Sequence, residues 1–250
     1  MNECKRCNKE FPEEYAFCPF CGGTFKDEKS FHYWAQAAKD ARNKGKMRSA
    51  IQAWERYHEL DDKNPYSHTS LGDLYYFTGD IDASIQQYLK SVELKPDFPD
   101  NYYYLGISYY RCGKINNAIE SFLKCLKLNP DFLIVYYWLG ITYFHKGEKR
   151  KSRSAFKKML ELNPASTIAN YHLGINYSSV GAYDKAIPYY EQFIASSPED
   201  EAVLFHLGLS YFRTGKIVEA VKTLRKAVKL NAEDKRSKDL LELITDVPDI

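Results

Sequence analysis

With 250 residues, 44% of them apolar and 27% charged, and a formal net charge of +2, the chain has an ordinary globular composition and no overall charge to draw it to nucleic acid or an anionic membrane. No stretch nears the roughly 18 apolar residues that cross a bilayer, and residues 1–25 lack the apolar centre of a signal peptide, so the expectation is a soluble, cytoplasmic protein. Less ordinary are the 21 Tyr and 14 Phe, which a fold must place.

The chain opens on two C-x-x-C pairs, Cys4–Cys7 and Cys18–Cys21, with ten residues between them. Two such turns can present four thiolates tetrahedrally, the donor set of a closed structural zinc site. Gly22 follows the second pair, where a tight knuckle needs a permissive φ. Phe11, Tyr15 and Phe17 are placed to pack over the metal. A unit this small has almost no core, so metal binding supplies its folding free energy. Residues 1–25 look like a short zinc ribbon holding structural Zn2+ on Cys4, Cys7, Cys18 and Cys21; iron in a rubredoxin-like site and a disulfide or redox pair are the alternatives. Four thiolates leave no vacant coordination position for catalysis. The ribbon carries Lys5, Arg6 and Lys9 against Glu3, Glu10, Glu13 and Glu14, which disfavours contact with phosphates.

After a linker over 26–30, a Leu-Gly pair recurs every 34 residues: Leu71-Gly72, Leu105-Gly106, Leu139-Gly140, Leu173-Gly174 and Leu207-Gly208. Tyr75, Tyr109, Tyr143, Tyr177 and Tyr211 follow three residues later, and a second Gly four residues beyond each Tyr. Leu and Tyr four apart share a helical face, and the Gly between them lets another helix approach closely. The second Gly falls where the first helix must stop. A second amphipathic helix follows, such as Ala118, Ile119, Phe122, Cys125 and Leu126, and Pro96, Pro130, Pro164 or Pro198 closes the unit.

This register resembles the tetratricopeptide repeat, with units at 31–64, 65–98, 99–132, 133–166, 167–200 and 201–234. The first departs from it, with Ala37-Ala38 for Leu-Gly and Ala41 for Tyr, but keeps Trp34, Gly45, Ala50 and Trp54. Residues 235–250 then supply a capping helix, carrying Leu240, Leu241, Leu243 and Ile244, and a tail after Val247-Pro248. The resemblance implies an all-α, right-handed α-solenoid of six helix pairs behind the ribbon, and a non-catalytic scaffold whose concave groove binds a partner peptide.

In that family the groove is lined by the first helix of each repeat. Carried over, those positions place Tyr76, Tyr103, Tyr104, Ile107, Tyr110, Arg111, Tyr137, Trp138, Ile141, Phe144, Tyr171, His172, Ile175, Phe205 and His206 on it, with Phe77 nearby. So aromatic a surface suits an extended or helical ligand with apolar or aromatic anchors. The carboxylate clamp of chaperone-binding members needs Asn residues that these positions lack, and Lys39 and Arg42 stand without the rest of it. The basic run Lys146–Lys158 reads first as a solvated outer helix face, and second as a docking patch for an acidic partner or an RNA backbone. His172 and His206, equivalent in adjacent repeats, are too far apart for one metal. Cys125 should be an inert buried thiol, and Pro188 should start or bend its helix. No nucleophile–base–acid arrangement or phosphate loop is present. Two other readings are a regulatory assembly factor at a membrane surface and a nucleic-acid-associated factor using the ribbon and residues 146–158. Self-association through the atypical end face of the first repeat stays open.

Overall fold

A computed structural model describes residues 2–4, 7–12, 18–21 and 30–246. Tyr15, Phe17, Gly22, residues 26–29 of the linker and Val247-Pro248 lie outside these described residues. The chain divides into two compact units, Met1–Pro130 and Asp131–Ile250.

The first unit begins with β1 (Asn2–Glu3) and β2 (Glu10–Phe11), paired antiparallel with Asn2 opposite Phe11. Three helix pairs follow: α1 (Phe31–Asn43) and α2 (Met47–Leu60), α3 (Pro65–Thr78) and α4 (Ile81–Leu94), α5 (Pro99–Arg111) and α6 (Ile115–Leu128). The second unit holds α7 (Leu133–His145) and α8 (Lys149–Leu162), α9 (Thr167–Ser178) and α10 (Tyr183–Ser196), α11 (Glu201–Arg213) and α12 (Ile217–Leu230), then α13 (Lys235–Thr245). No helix among the described residues is long and apolar enough to cross a membrane.

The chemistry of each boundary is local. Asn64, Asp80, Ser166 and Asp200 accept from the exposed N–H groups at the starts of α3, α4, α9 and α11, for example Val203 N–H to Asp200 Oδ1 at 2.9 Å. The first helix of the second repeat ends at Gly79, whose φ of 90° suits a left-handed cap that a Cβ would oppose. Second helices end on an extended residue, as at Asn163 with φ −141°, because the following Pro excludes helical geometry. Asn231 stops α12 in the same conformation with Ala232 after it, so the proline reinforces this stop but is not required for it.

Each pair is locked by one relation. A Cβ built on Gly106 would lie 2.5 Å from the Phe122 ring, and one on Gly140 would lie 2.6 Å from Phe156. The Leu-Gly glycine is therefore the hole, and the large residue sixteen positions later is the knob. Tyr88, Phe122, Phe156 and Tyr190 are all essentially inaccessible to solvent there, and Leu224 takes the place in the last pair. The first pair uses fully buried Ala38 in a cluster with Trp54, so this atypical repeat keeps the packing with a different pair of residues.

α13 packs on the last pair through buried Ile244 and half-buried Leu240 and Leu241, in one cluster with Leu224. Leu243, expected on the same apolar face, is 62% exposed, because the helical turn carries it to the far side. Pro188 does not start α10, which begins five residues earlier at Tyr183; it lies exposed inside the helix, where it has no N–H to give to the Asp184 carbonyl.

Candidate functional site

The N-terminal hairpin brings the four cysteines together. Asn8 takes a left-handed φ of 52°, its N–H bonds to the Cys4 carbonyl, and Cys4 N–H bonds to Lys9 O at 3.0 Å. This turns the chain back just after Cys7, at an Asn that follows its cysteine in sequence as Gly22 follows Cys21. Cys4 Sγ lies 3.5 Å from Cys21 Sγ, and Cys7 Sγ lies 3.4 Å from Cys18 Sγ; all four fall within 4.8 Å of one another. A tetrahedral zinc tetrathiolate with bonds of about 2.3 Å places its sulfurs about 3.8 Å apart, so the donor set fits. Phe11 is buried against the cysteines, as the sequence suggests.

In the first unit, Tyr76, Tyr103, Tyr104, Ile107 and Tyr110 are all half-buried and Arg111 is exposed. Arg111 lies 4.7 Å from the Tyr76 ring centre and donates to the Tyr76 carbonyl at 3.1 Å, leaving Phe77 beside them two-thirds exposed. Tyr104 stacks on Tyr88, the knob of the preceding repeat, with centroids 5.6 Å apart.

In the second unit, Tyr137, Trp138, Ile141, Phe144, Tyr171, His172, Ile175, Phe205 and His206 are likewise half-buried. Here the two histidines take the place of Tyr104. His172 lies on Phe156 at 4.9 Å and His206 on Tyr190 at 5.9 Å, each ring nearly parallel to the knob of the repeat before it. Burial pushes the His172 imidazole down to about 4, and burial with Arg236 nearby lowers His206 as well, so both are neutral near pH 7. Tyr137 meets His172 edge-on at 5.6 Å, tying adjacent first helices together through one aromatic contact.

The basic run is more engaged than a purely solvated face. Glu148 bonds to both Lys146 and Lys151, Arg153 donates to Asn176 Oδ1 at 3.0 Å, and the Lys149 ammonium sits 3.0 Å from the centre of the Phe144 ring. Cys125 is fully buried, and desolvation pushes its thiol up to about 12, so it is unreactive. Cys112 is exposed.

Polar groups buried between repeats are what the repeat pattern alone misses. Asn101 Nδ2 donates to Ser91 Oγ at 2.7 Å, Thr69 donates to Asn101 Oδ1, and Ser91 donates to the Pro65 carbonyl. His58 and His68 stack at 4.1 Å; His68 Nε2 donates to the Asp62 carbonyl, and His58 Nε2 reaches Ser67 Oγ. Burial, then His68, drives His58 down to about 4. The only hint in the sequence is that these two histidines lie off the first-helix positions of the other four.

Residues 72–113 and 108–147 match the TPR repeat family, and residues 134–166 and 171–235 match tetratricopeptide repeat families. No curated protein matches the chain. Among solved structures it is similar to the MamA protein, at 33% identity over 70% of this chain and 94% of that one, with a TM-score of 0.63. It is also similar to the C-terminal part of a TPR repeat-containing protein from Cytophaga hutchinsonii, at 23% identity, 86% and 88% coverage and a TM-score of 0.75. A third is YrrB, described as a TPR protein with an unusual peptide-binding site, at 18% identity, 76% and 98% coverage and a TM-score of 0.67. The chain belongs to the tetratricopeptide-repeat family, and its fold is that family's paired helices with a cysteine cluster at the N-terminus that could hold a metal ion.

Proposed function

We propose that this protein is a non-catalytic scaffold that binds a partner polypeptide on the first-helix faces of its repeats, with a zinc ion on Cys4, Cys7, Cys18 and Cys21 in a purely structural role. The ribbon would span residues 1–25 and the six repeats 31–234, with 235–250 as cap and tail. The observation that carries the reading is the half-burial of the face residues: a row of Tyr and Ile in the first unit, and one of Tyr, Trp, Phe, His and Ile in the second, is held by its neighbours from behind and still presents area to solvent. Tyrosine and tryptophan so fixed supply contact area at low entropic cost. The peptide-binding site of YrrB belongs to a protein of like fold, and peptide binding here rests on the face itself. Four mutually close thiols would give zinc a closed shell, which supports folding and not hydrolysis.

The test is a cross-linked pull-down with mass spectrometry on the full chain. Wild type is compared with two variants, Tyr103→Ala/Tyr104→Ala/Ile107→Ala and Tyr137→Ala/Trp138→Ala/Ile141→Ala, matched for metal content and helicity. A partner lost from either variant supports the scaffold reading and says which unit holds it. Identical partners on all three proteins would remove the faces from consideration.

A further inference from the structure

The second unit's first helices are unusual in their charge. No Asp, Glu, Lys or Arg occurs from Phe132 to His145, from Ala165 to Tyr183, or from Ala202 to Phe212. In the other unit α1 carries Lys39, Asp40 and Arg42, α3 carries Asp73, and α5 carries Asp100 and Arg111; in the second unit α7 and α9 carry none of these types and α11 has them only at its ends, Glu201 and Arg213. A surface helix ordinarily keeps a charged stripe toward water. In α7 and α9 that place is taken by apolar groups, with Ile134 39% and Ile168 50% exposed at equivalent positions of consecutive repeats. An apolar surface of this extent is normally covered by a partner.

Charge returns at both ends of these helices, as Asp131, Asp200 and Glu201 at their starts and as a mostly basic cluster at the α7–α8 turn. At the α7–α8 turn, Lys146, Lys149, Arg150, Lys151 and Arg153 face a single acid, Glu148, which is already bonded to Lys146 at 2.8 Å and Lys151 at 2.6 Å. Lys149, Arg150 and Arg153 therefore have no carboxylate among the described residues. With Glu148, Lys151 and Val180 they line an open cleft of about 540 Å³, in which the basic groups outnumber the one acid. The adjoining turn, Ser179–Ala182, brings no acid to it, and Asp184 just beyond lines a different cleft with Tyr177, Lys185 and Tyr189. The acids at the start of α11 are Asp200, which caps Val203 N–H, and Glu201, at the opposite end of the first helices from this turn. Lys149 joins the cleft to the apolar face, since its ammonium rests on the ring of Phe144, and Phe144 belongs to that face. Lys149 also donates to the Phe144 carbonyl at 3.4 Å but pairs with no carboxylate among the described residues, so it can accept one without first breaking an ion pair.

We infer that the α7–α9–α11 face binds an acidic apolar segment of a partner protein, its apolar side chains on Tyr137, Ile141 and Ile175 and its carboxylates in the Lys149–Arg150–Arg153 cleft. This deepens, and rests on, the scaffold reading above. It departs from the carboxylate clamp of the family, since the cations lie at the turn and the start of a second helix and not along the first-helix positions.

The probe is a displayed library of random 16-residue peptides, selected on the zinc-loaded 250-residue chain and on two variants: Lys149→Gln/Arg150→Gln, which changes exposed or half-exposed side chains, and Tyr137→Ala/Trp138→Ala/Ile141→Ala. Melting temperatures of all three are compared first. Peptides enriched on wild type should combine apolar residues with an excess of Asp and Glu. Binding of a synthesised winner should weaken about tenfold in the charge variant and should fall with added salt in wild type more steeply than in that variant. Winners that are apolar but show no acidic excess, or that bind the charge variant equally, overturn the inference and leave the scaffold reading standing. Failure of wild type to enrich any peptide over the Tyr137/Trp138/Ile141 variant overturns the inference and removes the second unit's face from the scaffold reading, leaving it to the first unit's face. A single-stranded RNA oligonucleotide that binds wild type, competes with the winner and is lost with Lys149 and Arg150 assigns the cleft to nucleic acid and overturns the inference.

Discussion

The imidazole of His172 lies flat on the ring of Phe156, with centroids 4.9 Å apart and planes 9° from parallel. One residue comes from the first helix of its repeat and the other from the second helix of the repeat before, so the stack is a joint between modules. Its chemistry links packing to pH, because the ring is held at a cost to its charged form.

The pKa of His172 is about 4 against an ordinary 6.5, so between these values the unfolded chain binds a proton that the folded chain refuses. Stability is therefore greatest above pH 6.5, falls as pH drops through that window, and stops falling below about pH 4. His172→Phe keeps a flat ring on Phe156 and removes the titration. Urea unfolding at pH 7.5 and pH 5 should show a smaller difference in the variant, by on the order of 1–2 kcal/mol for a partly exposed ring. An unchanged pH response would assign the acid sensitivity to His58 and His206 alone.

Gly106→Ala sets two effects against each other. Alanine gains about 1 kcal/mol of helix propensity over glycine. Its Cβ, however, would lie 2.5 Å from the fully buried Phe122 ring, which has nowhere to swing. Overpacking of this kind costs about 1–3 kcal/mol, so the single variant should lose stability. Combining it with Phe122→Leu copies the smaller knob of the last pair, Leu224, and should recover part of the loss in thermal melts.

Asn170 Oδ1 is buried without a hydrogen-bond partner among the described residues. The equivalent place in the next repeat holds Leu204, which is 2% exposed. Asn170→Leu should raise stability by about 1 kcal/mol, the sign expected when an unsatisfied buried oxygen is removed. A fall in denaturation midpoint would mean the amide is satisfied in solution.

Chelation should separate the two parts of the N-terminal unit. Removing one equivalent of metal should abolish protection of the Cys4 and Asn8 amides in hydrogen exchange while leaving the helical signal at 222 nm nearly unchanged, because all described helices begin at Phe31 or later. Cys7→Ser should reproduce the effect without a chelator. Retained protection in metal-free protein would show that the hairpin holds itself.

The 34-residue register made the helix pairs legible, since Leu-Gly, Tyr and the second Gly each answer one demand: a contact face, a hole, a stop. Trp34, Gly45, Ala50 and Trp54 were enough to mark the divergent first repeat, although Ala37-Ala38 stands there in place of Leu-Gly. The cysteine spacing announced a four-thiol cluster, and Asn8 in a left-handed conformation was hidden only because Gly is the usual sign of such a turn. Less visible was the polar joint of Thr69, Ser91 and Asn101. Its Asn101 stands where later repeats place Val135, Ala169 and Val203, so reading by repeat averages it away. The His58–His68 stack joins α2 to the next repeat's α3 through contacts that no period encodes. The division at Pro130 is equally silent, as the register passes through it unchanged.

The glycine hole and its ring knob belong to the same helix pair, so each hairpin closes on itself before it has to fit anything else. Such a chain can lengthen or shorten by whole cassettes of 34 residues without redesigning any of them. What changes between cassettes is then free to be the message: a tyrosine here, a histidine there, a helix emptied of charge. Selection can edit the reading surface one module at a time while the clasp beneath it stays the same.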